Sequence, residues 1–217
     1  MHVSRTHKVV YIGIPRTGSK SMFQWLKDNY GSENVGGHHE WQVPEEFKDY
    51  LVVTIVRNPY ERTVSGWFFE PVIKTGNEPP RPKSLAEKMH RAIAQRREEP
   101  NGNHMSQKSF VEKGGVDLAL YFERLPQCLG ELPFVDKDNI PPFPHNNAGG
   151  FRPAEGSFFD FFTMDDEKLV WQYDREDFET FGYQRLDCGL PATCGNCMRL
   201  RLPGPNSYKQ NDASGII

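Results

Sequence analysis

Val9-Val10-Tyr11-Ile12 runs straight into Gly13-Ile14-Pro15-Arg16-Thr17-Gly18-Ser19-Lys20-Ser21, a β-branched apolar run that breaks off in a turn rich in glycine, proline and hydroxyls. Apolar residues without polar alternation mark a strand covered on both faces, as in a parallel sheet. Beyond the turn, Met22, Phe23, Leu26 and Tyr30 recur at helical spacing. The unit repeats. Leu51-Val52-Val53-Thr54-Ile55-Val56 ends in Arg57-Asn58-Pro59, where Asn58 suits a helix cap and Pro59 the first helical position, and Val64, Trp67 and Phe68 then mark one helix face. A third apolar run at 116–122 is expected to add a strand. Thr163-Met164-Asp165-Asp166 has the form of a capping box, opening a helix with Leu169 and Tyr173 on one face that stops near Gly182. Strand, turn and helix in succession predict an α/β fold with a central parallel sheet flanked by helices.

Composition sets the outer limits. The chain has 217 residues, 26 basic and 29 acidic, for a net charge of −3. Such a balance excludes a polycation or an acidic tail and gives no reason to expect nucleic acid as a partner. No apolar stretch approaches the roughly 18 residues of a membrane span. Residues 1–8 are polar and do not fit a secretory leader, so a cytoplasmic location is expected, without a membrane partner. Periodicity gives out at residue 187, dividing the chain into a domain at 1–186 and an irregular tail at 187–217. Of four cysteines, Cys128 stands alone while Cys188, Cys194 and Cys197 crowd that tail. No His follows the cluster, so thiols in a loose tail are the plainest reading, with a zinc site or a disulfide as alternatives. Residues 70–108, with eight Lys/Arg against five Asp/Glu, and residues 139–157 read as irregular stretches, the length at which loops often serve function.

The turn at 13–21 is where chemistry is expected. Small residues let the backbone approach a ligand, and N–H groups at a helix start, the helix dipole and two cations meet at one point. That combination is an anion site, most naturally for phosphate. It departs from the nucleoside-triphosphate loop: Gly13 and Gly18 have the Walker separation, but Ser19 intervenes before Lys20. Where those enzymes end a neighbouring strand in an Asp that helps hold magnesium, this chain has Arg57, a residue suited to a second anion, and Ser65 two turns on offers a hydroxyl to it. Two phosphate cradles on neighbouring strand ends suggest a nucleotide phosphorylated at two separate places, and no metal is expected.

These motifs resemble a known family. Residues 14–22 are similar to the 5′-phosphosulfate loop of sulfotransferases that use 3′-phosphoadenosine-5′-phosphosulfate (PAPS). Arg57-Asn-Pro-Tyr-Glu-Arg-Thr-Val-Ser-Gly-Trp67 is similar to their 3′-phosphate motif, including the Arg-to-Ser interval. Residues 117–124, Pro144-His145-Asn146-Asn147 and residues 173–183 resemble the later part of the carbohydrate branch, Golgi-type and bacterial. The resemblance covers roughly 8–186. It implies the P-loop-like sulfotransferase fold, with Arg16, Thr17, Gly18, Ser19, Lys20 and Ser21 on the 5′-phosphosulfate and Arg57 and Ser65 on the 3′-phosphate. It also implies transfer of a sulfo group to an acceptor hydroxyl, most simply that of a glycan. The family commonly has Lys after the proline; Arg16 keeps the charge but presents a planar fork, so either Arg16 or Lys20 follows the leaving group. Without a leader or anchor, a bacterial or viral cytoplasmic protein fits better than a Golgi enzyme. Two other classes share the fold: a nucleotide-binding module without turnover, and a small P-loop nucleotide kinase.

Transfer to a hydroxyl needs a base. Gly36-Gly37-His38-His39-Glu40-Trp41 supplies two imidazoles and a carboxylate, and in the resembling branch a His or Glu from this region has that role. His titrates in the right range; His38 is favoured from its Gly-His context, with His39 second and Glu40 in reserve. His145 is assigned to a loop around nucleotide or acceptor. The basic stretch at 70–108 could lie over an anionic acceptor or form a solvated helix.

Overall fold

The computed structural model describes residues 1–37, 40–69, 87, 105–146 and 162–186. The side chains of Trp67 and Phe68, nearly all of the 70–104 stretch, His38, His39, and the tail with Cys188, Cys194 and Cys197 lie outside the described residues.

Among those residues five strands form one sheet: β1 (His2–Ser4), β2 (Val9–Ile12), β3 (Glu33–Asn34), β4 (Leu51–Val56) and β5 (Leu118–Tyr121), in the order β3-β1-β2-β4-β5. β2, β4 and β5 run parallel, Val10 opposite Val52 and Ile55 opposite Leu120. The helices are α1 (Ser19–Tyr30), α2 (Pro59–Phe69), α3 (Gln107–Gly114), α4 (Met164–Tyr173) and α5 (Arg175–Phe181). The expected α/β fold is present: a mostly parallel sheet flanked by helices.

Two apolar layers explain why β2 and β4 read as unbroken apolar runs. Val10, Ile12, Val52 and Val56 pack with Tyr60, Val64, Phe110, Phe178 and Phe181 on one face. Val9, Tyr11, Val53 and Ile55 pack with Met22, Trp25, Leu26, Cys128 and Leu129 on the other. Successive side chains therefore alternate between two cores rather than between core and water.

Two local expectations change. Residues 2–4, read as a polar lead-in, form β1, antiparallel to both β2 and β3. Val3 is fully buried, and Ser4 Oγ donates to Tyr30 O at 2.6 Å, tying this strand to the end of α1. The helix expected from 163 to 182 is two. Thr163 caps α4 with the reciprocal box, its side chain accepting from Asp166 N–H while Asp166 accepts from Thr163 N–H. Asp174 then leaves helical geometry at φ −106° and ψ 20°, and α5 begins after it, with Phe178 and Phe181 buried in the core.

α5 also carries the ion pair that ties the fold to its sheet edge. Asp177, fully buried, accepts from Gln107 N–H and Lys108 N–H at 2.9 Å each, holding the start of α3. Arg62 Nη1 lies 3.7 Å from the same carboxylate. Arg62 Nε donates to Pro15 O at 3.2 Å and its Nη2 to Met105 O at 3.0 Å. Removing one partner of a buried pair leaves a charge without compensation, at a cost of about 3–5 kcal/mol, whereas a lost helix cap costs about 1 kcal/mol. Asp177→Ala is therefore expected to destabilise the fold several times more than Thr163→Ala, as read from urea denaturation midpoints of the two variants.

Candidate active site

The parallel strands β2, β4 and β5 all leave the sheet at one edge, at Gly13, Arg57 and Phe122. The loop after β2 is unusual in its backbone. Arg16 sits at φ +71° and Gly18 at φ +82°, the left-handed region that costs a non-glycine residue about 1–2 kcal/mol. Three side chains hold it there by taking successive carbonyls. Thr17 Oγ1 donates to Ile14 O at 3.0 Å, Arg62 Nε to Pro15 O at 3.2 Å, and Arg57 Nη1 to Arg16 O at 3.3 Å. With these acceptors engaged, the loop leads into α1 with its donors as the remaining polarity.

The start of α1 carries no cap of its own. Its N-cap is Gly18, no side chain accepts there, and the first turn has no acidic residue. By contrast, Asn58 Oδ1 accepts from Tyr60 N–H at 2.9 Å at the start of α2, and Ser106 and Thr163 cap α3 and α4. Dipole and exposed N–H groups at such an end favour an external anion. The positive φ at Gly18 also favours glycine, and a Cβ there would crowd the Phe122 ring at 3.0 Å.

Arg57 is held on every side. Gln107 brackets its backbone, accepting from Arg57 N–H and donating to Arg57 O, both at 2.8 Å. The guanidinium lies over the Phe122 ring, 4.1 Å from the centroid. Its Nε and Nη2 donate to Glu61 Oε2 at 3.1 and 2.8 Å. Beside it, Glu123 accepts from Asn58 N–H and from Tyr183 Oη, and burial raises its carboxyl above the usual range. Burial, followed by the charges of Arg62 and Arg57, lowers the Arg16 guanidinium to about 10. Three guanidinium groups thus converge at this edge, with Glu61 supplying a carboxylate to one of them.

The residues expected for the anion do not all face one point. Thr17, Ser19 and Ser21 are buried, and Ser21 Oγ accepts from Asn146 N–H at 3.0 Å, which joins the 144–146 segment to the loop. His145 is exposed. Lys20 is exposed and lines a cleft that does not include Arg16 or Arg57 among its lining residues. Ser65 is half-buried on α2. Glu40 folds back to accept from Gly37 N–H, which engages the reserve base in its own turn. The register carries the chain leaving β3 at Val35 to this same edge: His2 pairs with Tyr11 on one side and Asn34 on the other, so β3 ends level with the end of β2. Among the described residues, no group of three or more His, Cys, Asp or Glu is arranged to hold a metal ion, and no helix is long and apolar enough to cross a membrane.

A sequence model described as the sulfotransferase family matches residues 1–133, more than half of the chain. The chain belongs to the sulfotransferase family. The match spans the loop after β2, the 36–41 turn and the Arg57-to-Ser65 motif. Comparison with curated proteins and with solved structures gives no match. Membership makes this chain a transferase of sulfo groups and accounts for the P-loop-like arrangement of the sheet edge. Among residues shaping this sheet edge, Glu61, Arg62, Gln107, Phe122, Glu123 and Asp177 were not singled out by sequence. Glu61 had a readable signal, four residues after Arg57 on one helix face. Arg62 and Asp177 fall within the family-like stretches at 57–67 and 173–183, but their pairing had no signal because it depends on the tertiary fold.

Glu61 competes with any incoming anion for two N–H groups of Arg57. Glu61→Gln is expected to strengthen binding of inorganic sulfate or phosphate at this edge by about 1 kcal/mol, roughly fivefold, after discounting for partial exposure. The reading is the rise of the thermal midpoint with anion concentration; the same dependence in variant and wild type would count against the competition.

Proposed function

We propose that the chain transfers a sulfo group from PAPS to a carbohydrate hydroxyl, with 1–186 as the catalytic domain. Residues 16–21 hold the 5′-phosphosulfate, and Arg57 and Ser65 the 3′-phosphate. The observation that carries this reading is the pairing of two cationic strand ends. Ile12 leads to the Arg16 loop and Val56 to Arg57 on adjacent parallel strands, and the two loops touch where Arg57 Nη1 meets Arg16 O. The residues suit a bisphosphate. α1 has no cap of its own, and the Glu61 carboxylate on Arg57 stands where a second anion would be received.

PAPS supplies the sulfo group, whose bond to the 5′-phosphate oxygen breaks as the acceptor oxygen bonds to sulfur. The chain positions that oxygen, meets charge growing on the phosphate side, and removes the hydroxyl proton. Arg16 is the cation assigned to the growing charge, because it follows Pro15 in a backbone geometry that Arg57 and Thr17 help to hold. Lys20 is the second cation. His38, or His39 beside it, takes the proton; Glu40 ranks below both because it already accepts from Gly37 N–H.

A 3′-phosphate should be worth ~1.5–3 kcal/mol as a charge-assisted contact. By calorimetry, 3′-phosphoadenosine-5′-phosphate is expected to bind at least tenfold more tightly than AMP, and Arg57→Ala to erase that preference. Equal affinities in the wild type would refute the second cradle. For the base, transfer rate and bisphosphate affinity are measured side by side for His38→Ala, His39→Ala and Glu40→Gln. Loss of the base should lower the rate by about 10²–10⁴-fold in one histidine variant, with bisphosphate affinity nearly unchanged. Rates within threefold of wild type in all three would move the base out of this turn.

A further inference from the structure

Phe122 is the first residue past β5, and the sheet register sets it beside Arg57. Val56 pairs with Tyr121 on adjacent parallel strands, so the next residue on each, Arg57 and Phe122, leave the edge side by side. Leu125 N–H donates to Phe122 O at 3.1 Å, and Glu123 accepts from Asn58 N–H at 2.6 Å, which ties the backbone around Phe122 to the start of α2. The ring is half-buried and packs against the apolar layer that holds Tyr11, Met22 and Trp25.

Two parts of the proposed site meet on this ring. Arg57 Cζ lies over it, 4.1 Å from the centroid. A Cβ built on Gly18 would stand 3.0 and 3.2 Å from two of its carbons, so the backbone of the loop after β2 comes close to the same ring. The contact with Arg57 differs in kind from the others that residue makes. Whatever holds an arginine for a phosphate must not consume the N–H groups the phosphate needs. Glu61 consumes two of them, at Nε and Nη2, and an anion using that side of the guanidinium must displace it. Arg16 O takes a third, from Nη1. Gln107 acts on the backbone N–H and O of Arg57 and leaves its side-chain torsions free. A ring face attracts the cation through its quadrupole and takes up none of these donors.

We propose that Phe122 is a positioning residue for donor recognition: its ring keeps the Arg57 guanidinium in place when the 3′-phosphate takes over from Glu61. Phe122 acts through Arg57 rather than on the ligand. The inference rests on the assignment of the 3′-phosphate to Arg57.

The test is calorimetry on the full chain, read as the ratio of affinities for 3′-phosphoadenosine-5′-phosphate and AMP. AMP lacks the 3′-phosphate, so the ratio isolates what Arg57 contributes. Phe122→Leu keeps an apolar side chain in the layer but has no ring face, and the ratio is expected to fall by roughly threefold to tenfold, the size of a cation–π contact. Phe122→Tyr restores a ring and should keep the wild-type ratio. A trifluorinated phenylalanine in place of Phe122 keeps the shape of the ring and weakens its negative face, so the ratio should fall toward that of Phe122→Leu. A side chain that serves packing alone would not register the fluorines, and this variant decides the matter even where Phe122→Leu fails to fold. An unchanged ratio in a folded Phe122→Leu, a fluorinated ring with the wild-type ratio, or Phe122→Tyr behaving as Phe122→Leu would overturn the proposal. Equal affinities for the two nucleotides in the wild type would instead overturn the assignment of the 3′-phosphate to Arg57, and this proposal with it.

Discussion

The buried Arg62–Asp177 pair is the constraint on which the rest of this structure depends. One carboxylate holds the start of α3, and the guanidinium facing it holds the carbonyls of Pro15 and Met105. Four separate parts of the chain therefore meet at two side chains: the loop after β2, α2, the start of α3, and α5. Through Gln107, the same helix start brackets the backbone of Arg57. The pair fixes the backbone of the loop after β2, and a loop with two residues at positive φ needs that support to persist.

Electrostatics at the sheet edge then follow from geometry. Arg16, Arg57 and Arg62 stand near enough for burial and mutual repulsion to lower the first of them to about 10. The protein offsets part of this with Glu61 on Arg57 and with the face of Phe122 beneath the guanidinium. An arrangement of this kind is organised before a ligand arrives, and an anion that displaces Glu61 meets donors already oriented. Preorganisation of that sort reduces the ordering cost of binding and favours charge developing at a fixed place.

Much of this was readable from the chain itself. The runs at 9–12 and 51–56 showed their burial directly, because alternate residues enter two cores and no polar period interrupts them. The cap at Asn58 and the box at Thr163 are local chemistry and stand as read. β1 was not legible because three residues are too few to show a period, and its place depends on Ser4 reaching Tyr30. The break at Asp174 was hidden because an aspartate inside a helical pattern gives no stop signal of its own; only the packing of Phe178 and Phe181 demands it. At the site, Arg57 and the 16–21 loop were visible as motifs. The partition of their side chains was not, with Lys20 lining a separate cleft and Ser21 joined to Asn146, since both depend on contacts far apart in sequence.

We propose above all that two adjacent strand ends receive the two phosphates of one nucleotide. A crystal structure of the chain with 3′-phosphoadenosine-5′-phosphate tests it most directly. The 5′-phosphate is expected against the loop at 16–21 and the start of α1, and the 3′-phosphate on Arg57 and Ser65 with Glu61 turned away from the guanidinium. A nucleotide bound with its 3′-phosphate in solvent, or with Glu61 still paired to Arg57 and the phosphate elsewhere, would contradict it.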